Sequence, residues 1–248
     1  MRRSDGLPPR WVPARPVGSL ARVPPDHPSG PSATDGHGSG DAPVPPTVEV
    51  FADVLCPFAH VGLRRFVDRR DELGRTGPRL RVRAWPLELI NGRPLQADHV
   101  ADELDPIRHD AAPCQFAGFD LVHFPTTSLP AFALTAAAYE VSDEIGERIA
   151  LEVRDALFER GLDVGDRPVL DELARRHGIA YDAEAGRAVA KADLAEGRDR
   201  GVVGSPHFFT PDGGFFCPSL DVHRDEHDQL VVHRDPEGFD RFLAAALA

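Results

Sequence analysis

Only three cysteines occur in 248 residues: Cys56, Cys114 and Cys217. An odd number, spread this widely, excludes a disulfide framework as the source of stability, so any redox chemistry the thiols carry is catalytic. Basic residues are in deficit as well, with 28 Lys+Arg against 40 Asp+Glu and a formal net charge of −12. Nucleic acid and anionic membrane surfaces repel such a chain, so neither is an expected partner. No uninterrupted apolar run approaches the ~18 residues of a membrane span, and the amino-terminal stretch lacks the apolar segment of a secretory signal. The expectation is a cytosolic protein. All but one of the basic residues are arginine, the exception being Lys191, and Asn91 is the single asparagine. That bias reads as a GC-rich genome and not as an arginine-built binding site. A glycine-rich phosphate loop, a G-x-S-x-G elbow and internal repeats are all missing.

What is present begins with a change of texture near residue 47. Residues 1–46 hold 11 of the 24 prolines and no Ile or Phe. Such a segment buries too little apolar area to offset its ordering entropy, and the expectation is a disordered tail ending at Pro46. The 42% hydrophobic content of the whole chain is enough for a proper core beyond that tail. From Val48 to Leu55 the text turns apolar, β-branched and aromatic, which suits a buried strand delivering Cys56. Pro57 fits the first helical position, and Leu63, Phe66, Val67 and Leu73 form a helical stripe that stops at Gly74. Leu80 to Trp85 then alternates with period two, giving a second strand parallel to the first.

Helices are expected over Leu129–Val141, over Asp143–Arg160 with Ser142 as cap, over Pro168–His177 and from about Asp182 to Arg200. Short strands at Phe208–Thr210 and Phe215–Cys217 flank the turn sequence Pro211-Asp212-Gly213-Gly214, and a last helix runs from about Pro236 to Leu247. The order is that of an α/β fold carrying a helical insertion.

Cys56 stands out physically. A thiolate at a helix N-terminus is favoured by unpaired backbone N–H groups and the positive end of the dipole, so its pKa is expected below about 8.5. The competing reading is a small buried hydrophobe that happens to precede a helix. His60, one turn on, either lowers the thiol pKa when protonated or packs on the helical insertion. Pairing across the hairpin brings Cys217 to the same end of the sheet as Cys56, as a candidate accessory thiol or as a packed strand residue. Cys114 has no chemical context. His223 and His227 have an i, i+4 spacing, but the segment from Asp221 to Asp235 is so charged that it reads as a solvated connection, and no metal site is expected.

A cysteine delivered by a strand to a helix, and a later Gly204-Ser205-Pro206 just before an antiparallel strand, resemble the thioredoxin fold, and most closely the DsbA family. In that family a C-P-x-C motif opens the first helix and faces a residue followed by a cis-proline. Here Cys56-Pro57-Phe58-Ala59 and Ser205-Pro206 stand in those places. The phrases Asp53-Val54-Leu55-Cys56-Pro57-Phe58 and Arg200-Gly201-Val202-Val203-Gly204-Ser205-Pro206-His207-Phe208-Phe209 resemble its cytosolic branch. The resemblance implies a thioredoxin-like fold with a helical insertion domain: residues 47–95 and 201–248 as the thioredoxin-like part, 96–200 as the insertion. It further implies a thiol–disulfide oxidoreductase in which Cys56 is catalytic and Pro57, Phe58, Ser205 and Pro206 bind substrate. Ala59 departs from the motif, because it replaces the second cysteine and leaves a monothiol scheme. No bound cofactor is implied, although a low-molecular-weight thiol would serve as co-substrate and a small thiol or disulfide as partner. Oligomeric state cannot be read from the residues.

Two alternatives stay open. Related kappa glutathione transferases and hydroxychromene-carboxylate isomerases usually carry Ser at the place of Cys56 and activate a bound thiol cofactor, and Phe58, Phe116, Phe119 and Phe124 would then line an aromatic pocket. The other is a non-catalytic thioredoxin-like module that holds a peptide or a protein.

Overall fold

The computed structural model describes residues 47–248. The expected disordered tail lies outside the described residues.

Strand β1 (Thr47–Ala52) leads into helix α1 (Pro57–Glu72) and strand β2 (Arg79–Ala84). The two strands pair in parallel, with Val48 opposite Leu80 and Val50 opposite Val82. β2 alternates half-buried arginines with buried Leu80, Val82 and Ala84, as its period-two sequence requires. β1 is shorter than its apolar text suggests. Asp53 ends it by folding its carboxylate onto the Leu55 N–H, and residues 53–56 become a turn.

Helices α2 (Leu87–Asn91) and α3 (Ala97–Pro106), neither legible from periodicity, precede a short π-helical turn at Ile107–Ala111. Then come α4 (Leu129–Val141), α5 (Asp143–Phe158), α6 (Arg167–His177) and α7 (Gly186–Asp199), close to the expected bounds. Ser142 caps α5 by accepting the Ile145 N–H at 3.1 Å. Gly146 in α5 leaves room for the Tyr139 ring, which a Cβ there would meet at 2.0 Å.

The chain returns through β3 (His207–Thr210) and β4 (Gly213–Phe216), completing a sheet of order β2-β1-β3-β4. The hairpin turn is tighter than expected. Only Pro211 and Asp212 lie between the strands, and Gly213 and Gly214 pair with Thr210 and Phe209. β5 (Leu220–Arg224) and β6 (Leu230–Arg234) form a separate antiparallel ribbon before α8 (Pro236–Ala246). This corrects the expected solvated loop: Leu220 and Val232 are buried on one face, Asp221, His223 and His233 are exposed on the other, and the acidic Asp225, Glu226 and Asp228 fall in the connecting turn. His223 lies on a strand and His227 in the turn, so the pair does not share a helical face.

The helical segment seals the outer edge of β2. Tyr139 Oη accepts the Val82 N–H and donates to the Leu80 carbonyl, both at 2.8 Å. Glu147 accepts the Leu80 N–H at 2.6 Å, and Asp193 the Ala84 N–H at 2.7 Å. An edge whose donors are already paired cannot recruit another strand. Glu147 is itself buried and bonded to Arg70 and Arg79, at 2.7 and 2.9 Å. No helix among the described residues is long and apolar enough to cross a membrane.

Candidate active site

Cys56 is the N-cap residue of α1, and its carbonyl accepts the His60 N–H that opens the helix, at 3.2 Å. Pro57 occupies the first helical position, where a missing N–H leaves no partner wanting. The Cys56 thiol donates to the Ser205 carbonyl at 3.3 Å. Ser205 is held in turn: its hydroxyl oxygen accepts the Asp53 N–H at 2.9 Å, and the Ser205–Pro206 peptide is cis. Gly62 of α1 faces this loop, and a Cβ there would make ordinary van der Waals contact with the Pro206 ring at 3.4 Å and with Phe208 at 3.6 Å.

The site is more enclosed than the sequence implies. Cys56 is 4% exposed and Ala59 is wholly buried, while Phe58 is half-buried and packs against both main hydrophobic clusters. Burial pushes the Cys56 thiol up to about 12, against the opposing pull of the Ser205 side chain and the Ala59 N–H, and the charges of Glu103 and Asp53 add to the rise. This overturns the expected depression below 8.5. The helix end does act in the expected sense, through Ala59, but desolvation of an anion this deep outweighs it. At rest Cys56 is therefore a protonated thiol.

His60 is buried against Phe116 and Phe158, with ring centroids 5.2 and 5.0 Å away. Its Nε2 lies 2.8 Å from Glu159 Oε1, and burial lowers its pKa. A neutral ring therefore donates to Glu159, so His60 packs on the helical segment and lends Cys56 no positive charge. Phe116, Phe119 and Phe124 belong to that same aromatic core: Phe116 meets Phe158 at 5.2 Å and Phe119 meets Phe124 at 5.8 Å. Phe116 and Phe124 are buried, so the expected aromatic pocket is instead packed interior.

Cys217 follows β4 instead of ending it, with φ at 45°. Its N–H donates to the Pro206 carbonyl at 3.0 Å, its residue is 7% exposed, and burial raises its thiol pKa. Cys114 is exposed, unlike the other two thiols.

Three groups at the site escaped the sequence reading. Asp53 is fully enclosed, accepts the Leu55 and Leu87 N–H groups at 2.8 and 2.6 Å, and is pushed up to about 6 by burial. Arg154 is buried on α5 and donates to the Asp53 carbonyl at 3.2 Å. Glu103 on α3 is raised to about 8 by desolvation and its charge acts on Cys56. The second of two acids in the run before Cys56, and a lone arginine on the apolar face of α5, were the signals available.

The profile of the DSBA-like thioredoxin domain matches residues 47–227, and the chain belongs to that family. Its fold is the thioredoxin-like α/β sheet with helices inserted between β2 and β3. Among solved structures, it is similar to the cytosolic disulfide reductase DsbM from Pseudomonas aeruginosa. The two share 21% identity, with a TM-score of 0.52 over 81% of this chain and 98% of that one. The same reductase solved with GSH gives a TM-score of 0.51 at the same identity and coverage. A provisionally assigned protein disulfide isomerase from Nitrosomonas europaea shares 15% identity, with a TM-score of 0.51 over 82% of this chain and 98% of that one. A 2-hydroxychromene-2-carboxylate isomerase shares 14%, with a TM-score of 0.47 over 68% and 88%. No curated protein matches the chain.

Proposed function

We propose that the protein is a cytoplasmic thiol–disulfide oxidoreductase that acts through Cys56 by forming a mixed disulfide with a small thiol-derived disulfide. The observation that carries this reading is the 3.3 Å contact between the Cys56 thiol and the Ser205 carbonyl at the start of α1. The arrangement opposes a thiol to a backbone carbonyl, and a substrate chain lying in the crevice would pair with that same backbone. The Ser205 side chain counters part of the burial penalty on the thiolate. A reductase of the same fold solved with GSH supports a glutathione-sized partner.

In the reaction Cys56 loses its proton, its sulfur attacks one sulfur of the incoming disulfide, and the other sulfur leaves as a thiolate that takes up a proton. Because the resting thiol is raised to about 12, the cost of its deprotonation opposes attack near neutral pH. Ala59 supplies no second thiol, so release of the bound half falls to a thiol from elsewhere. No bound cofactor is needed, and a low-molecular-weight thiol serves as co-substrate.

The test is reduction of glutathione disulfide by the full chain and by Cys56→Ser, with dithiothreitol supplied as the reducing thiol that regenerates Cys56. Turnover lost in the variant supports the reading, and turnover unchanged overturns it. The enclosure of Cys56 favours one other reading, a module that holds a peptide along Ser205 with no covalent step. Peptide capture that survives Cys56→Ser, with no disulfide reduction by the native chain, selects it.

A further inference from the structure

We infer that Cys217 is the resolving thiol that residue 59 does not provide, attacking a mixed disulfide on Cys56 from the far side of the Ser205–Pro206 segment. The inference rests on the reading of Cys56 as the reacting thiol.

The two thiol residues bracket one dipeptide. The Cys56 thiol points at the Ser205 carbonyl at 3.3 Å, and the Cys217 N–H points at the next carbonyl, that of Pro206, at 3.0 Å. Both residues are buried, at 4% and 7% exposure, Cys56 in one hydrophobic cluster and Cys217 in the neighbouring one. The two thiols are electrostatically coupled: a thiolate on Cys56 raises the Cys217 pKa by more than the Arg65 guanidinium lowers it. Cys114 is exposed, so the chain offers one buried pair and one outlier.

Cys217 also sits where a thiol can move. Its left-handed φ of 45° is a conformation that a residue with a Cβ seldom adopts, and such positions gather where function requires them. It lies beyond the last residue of β4, so its turn can shift without opening the β3–β4 ladder. Three backbone hydrogen bonds hold that turn: the one to Pro206, one from the Leu220 N–H to the Cys217 carbonyl at 3.2 Å, and one from the Asp235 N–H to the Ser219 carbonyl at 3.1 Å. Arg65 reaches the same turn from α1 and donates to the Ser219 and Ala111 carbonyls at 2.6 and 3.0 Å. Its positive charge lowers the Cys217 pKa against the dominant effect of burial and so favours the thiolate that attack requires.

The chemistry balances within the chain. With glutathione as the bound half, the Cys217 sulfur attacks the Cys56 sulfur and a Cys56–Cys217 bond forms. The Cys56–glutathione bond breaks, and the proton lost by Cys217 ends on the released thiol. A low-molecular-weight thiol then reduces the internal disulfide in two exchanges, so the cycle draws its electrons from that pool.

The test uses the full chain carrying Cys114→Ser, which removes the exposed thiol. The reduced protein is mixed with glutathione disulfide, acid-quenched at intervals, digested and mapped by mass. A glutathione adduct on Cys56 is expected to peak and give way to a peptide cross-linked through Cys56 and Cys217. Adding Cys217→Ala should lengthen the life of that adduct by about tenfold or more. An adduct that lasts equally long in both proteins overturns the resolving role and leaves Cys56 as the reacting thiol. No adduct on Cys56 at all overturns both readings. Should Cys217→Ala fail to fold, the Cys114→Ser protein decides alone, since an adduct there that never yields the cross-link overturns the proposal.

Discussion

The backbone N–H of Asp53 donates to the hydroxyl oxygen of Ser205 at 2.9 Å, so the residue that ends β1 holds the residue whose carbonyl receives the Cys56 thiol. The same Asp53 fixes the start of α2 through the Leu87 N–H and receives Arg154 from α5 on its carbonyl. One residue thus joins the strand end, the proline loop and the helical segment around the sulfur.

Ser205→Ala removes the acceptor of a buried N–H and the side chain that favours the Cys56 thiolate. A buried donor left without a partner costs about 1–3 kcal/mol, and the Cys56 pKa should rise further. Urea unfolding measures the first effect and alkylation of Cys56 against pH the second. Ser205→Thr should restore both, since it keeps the hydroxyl. Wild-type alkylation in Ser205→Ala would show that the hydroxyl does not act on the thiol.

Cys56 itself should show no thiolate plateau near neutrality. With its pKa raised to about 12, the thiolate fraction grows about tenfold per pH unit up to that value, and the alkylation rate should follow it from pH 7 upward. A rate already level at pH 7 would mean that the helix end prevails over burial after all.

Asp53 gives stability a pH dependence of unusual sign for a carboxylate. Its folded pKa lies near 6 and its ordinary value is 3.8, so the folded state binds more protons than the unfolded one between those values. The stability it contributes is therefore full below about pH 4 and is lost as the pH rises through 6. Asp53→Asn should flatten the denaturation profile across that window. It should also weaken the hold on Leu87, because an amide presents only one acceptor oxygen. A profile that keeps its slope in the variant would place the titration elsewhere.

Glu147→Ala leaves the buried guanidinium of Arg70 with only the exposed Asp71 carboxylate and the Leu80 N–H without its acceptor. Removing one member of a buried ion pair costs about 3–5 kcal/mol, so a large drop in the urea midpoint is expected. A loss under about 1 kcal/mol would show that β2 is secured mainly by Tyr139 and Asp193.

The sequence carried the parts of the fold that repeat a local rule. The period-two run at Leu80–Trp85, proline at the opening of α1 and serine at the head of α5 each state a backbone geometry in one or two residues. The β5–β6 ribbon also alternates, but its strands carry as many His, Asp and Arg residues as apolar ones, and the charged turn between them masks the pattern. Helices α2 and α3 are short, and the apolar positions that seat α3 amount to Val100 and Leu104. At the site, the positions of Cys56 and Ser205 were readable because strand, helix and loop follow one another in order. The depth of the sulfur was not. It depends on Phe58, Ala59 and groups such as Glu103 that come together only in three dimensions, and that depth reverses the direction of the Cys56 pKa shift. For the same reason Phe116 and Phe124 read as a lining yet are interior, with Phe119 partly buried beside them, since Phe158, which meets Phe116 and Phe119, arrives from a distant helix.

The most direct measurement is mass spectrometry of the native protein isolated under acid quench, with each cysteine-bearing peptide mapped. A small-thiol adduct on Cys56, absent from the reduced sample, is the expected result. Cys56 found as a free thiol in every preparation, with adducts confined to the exposed Cys114, would contradict it.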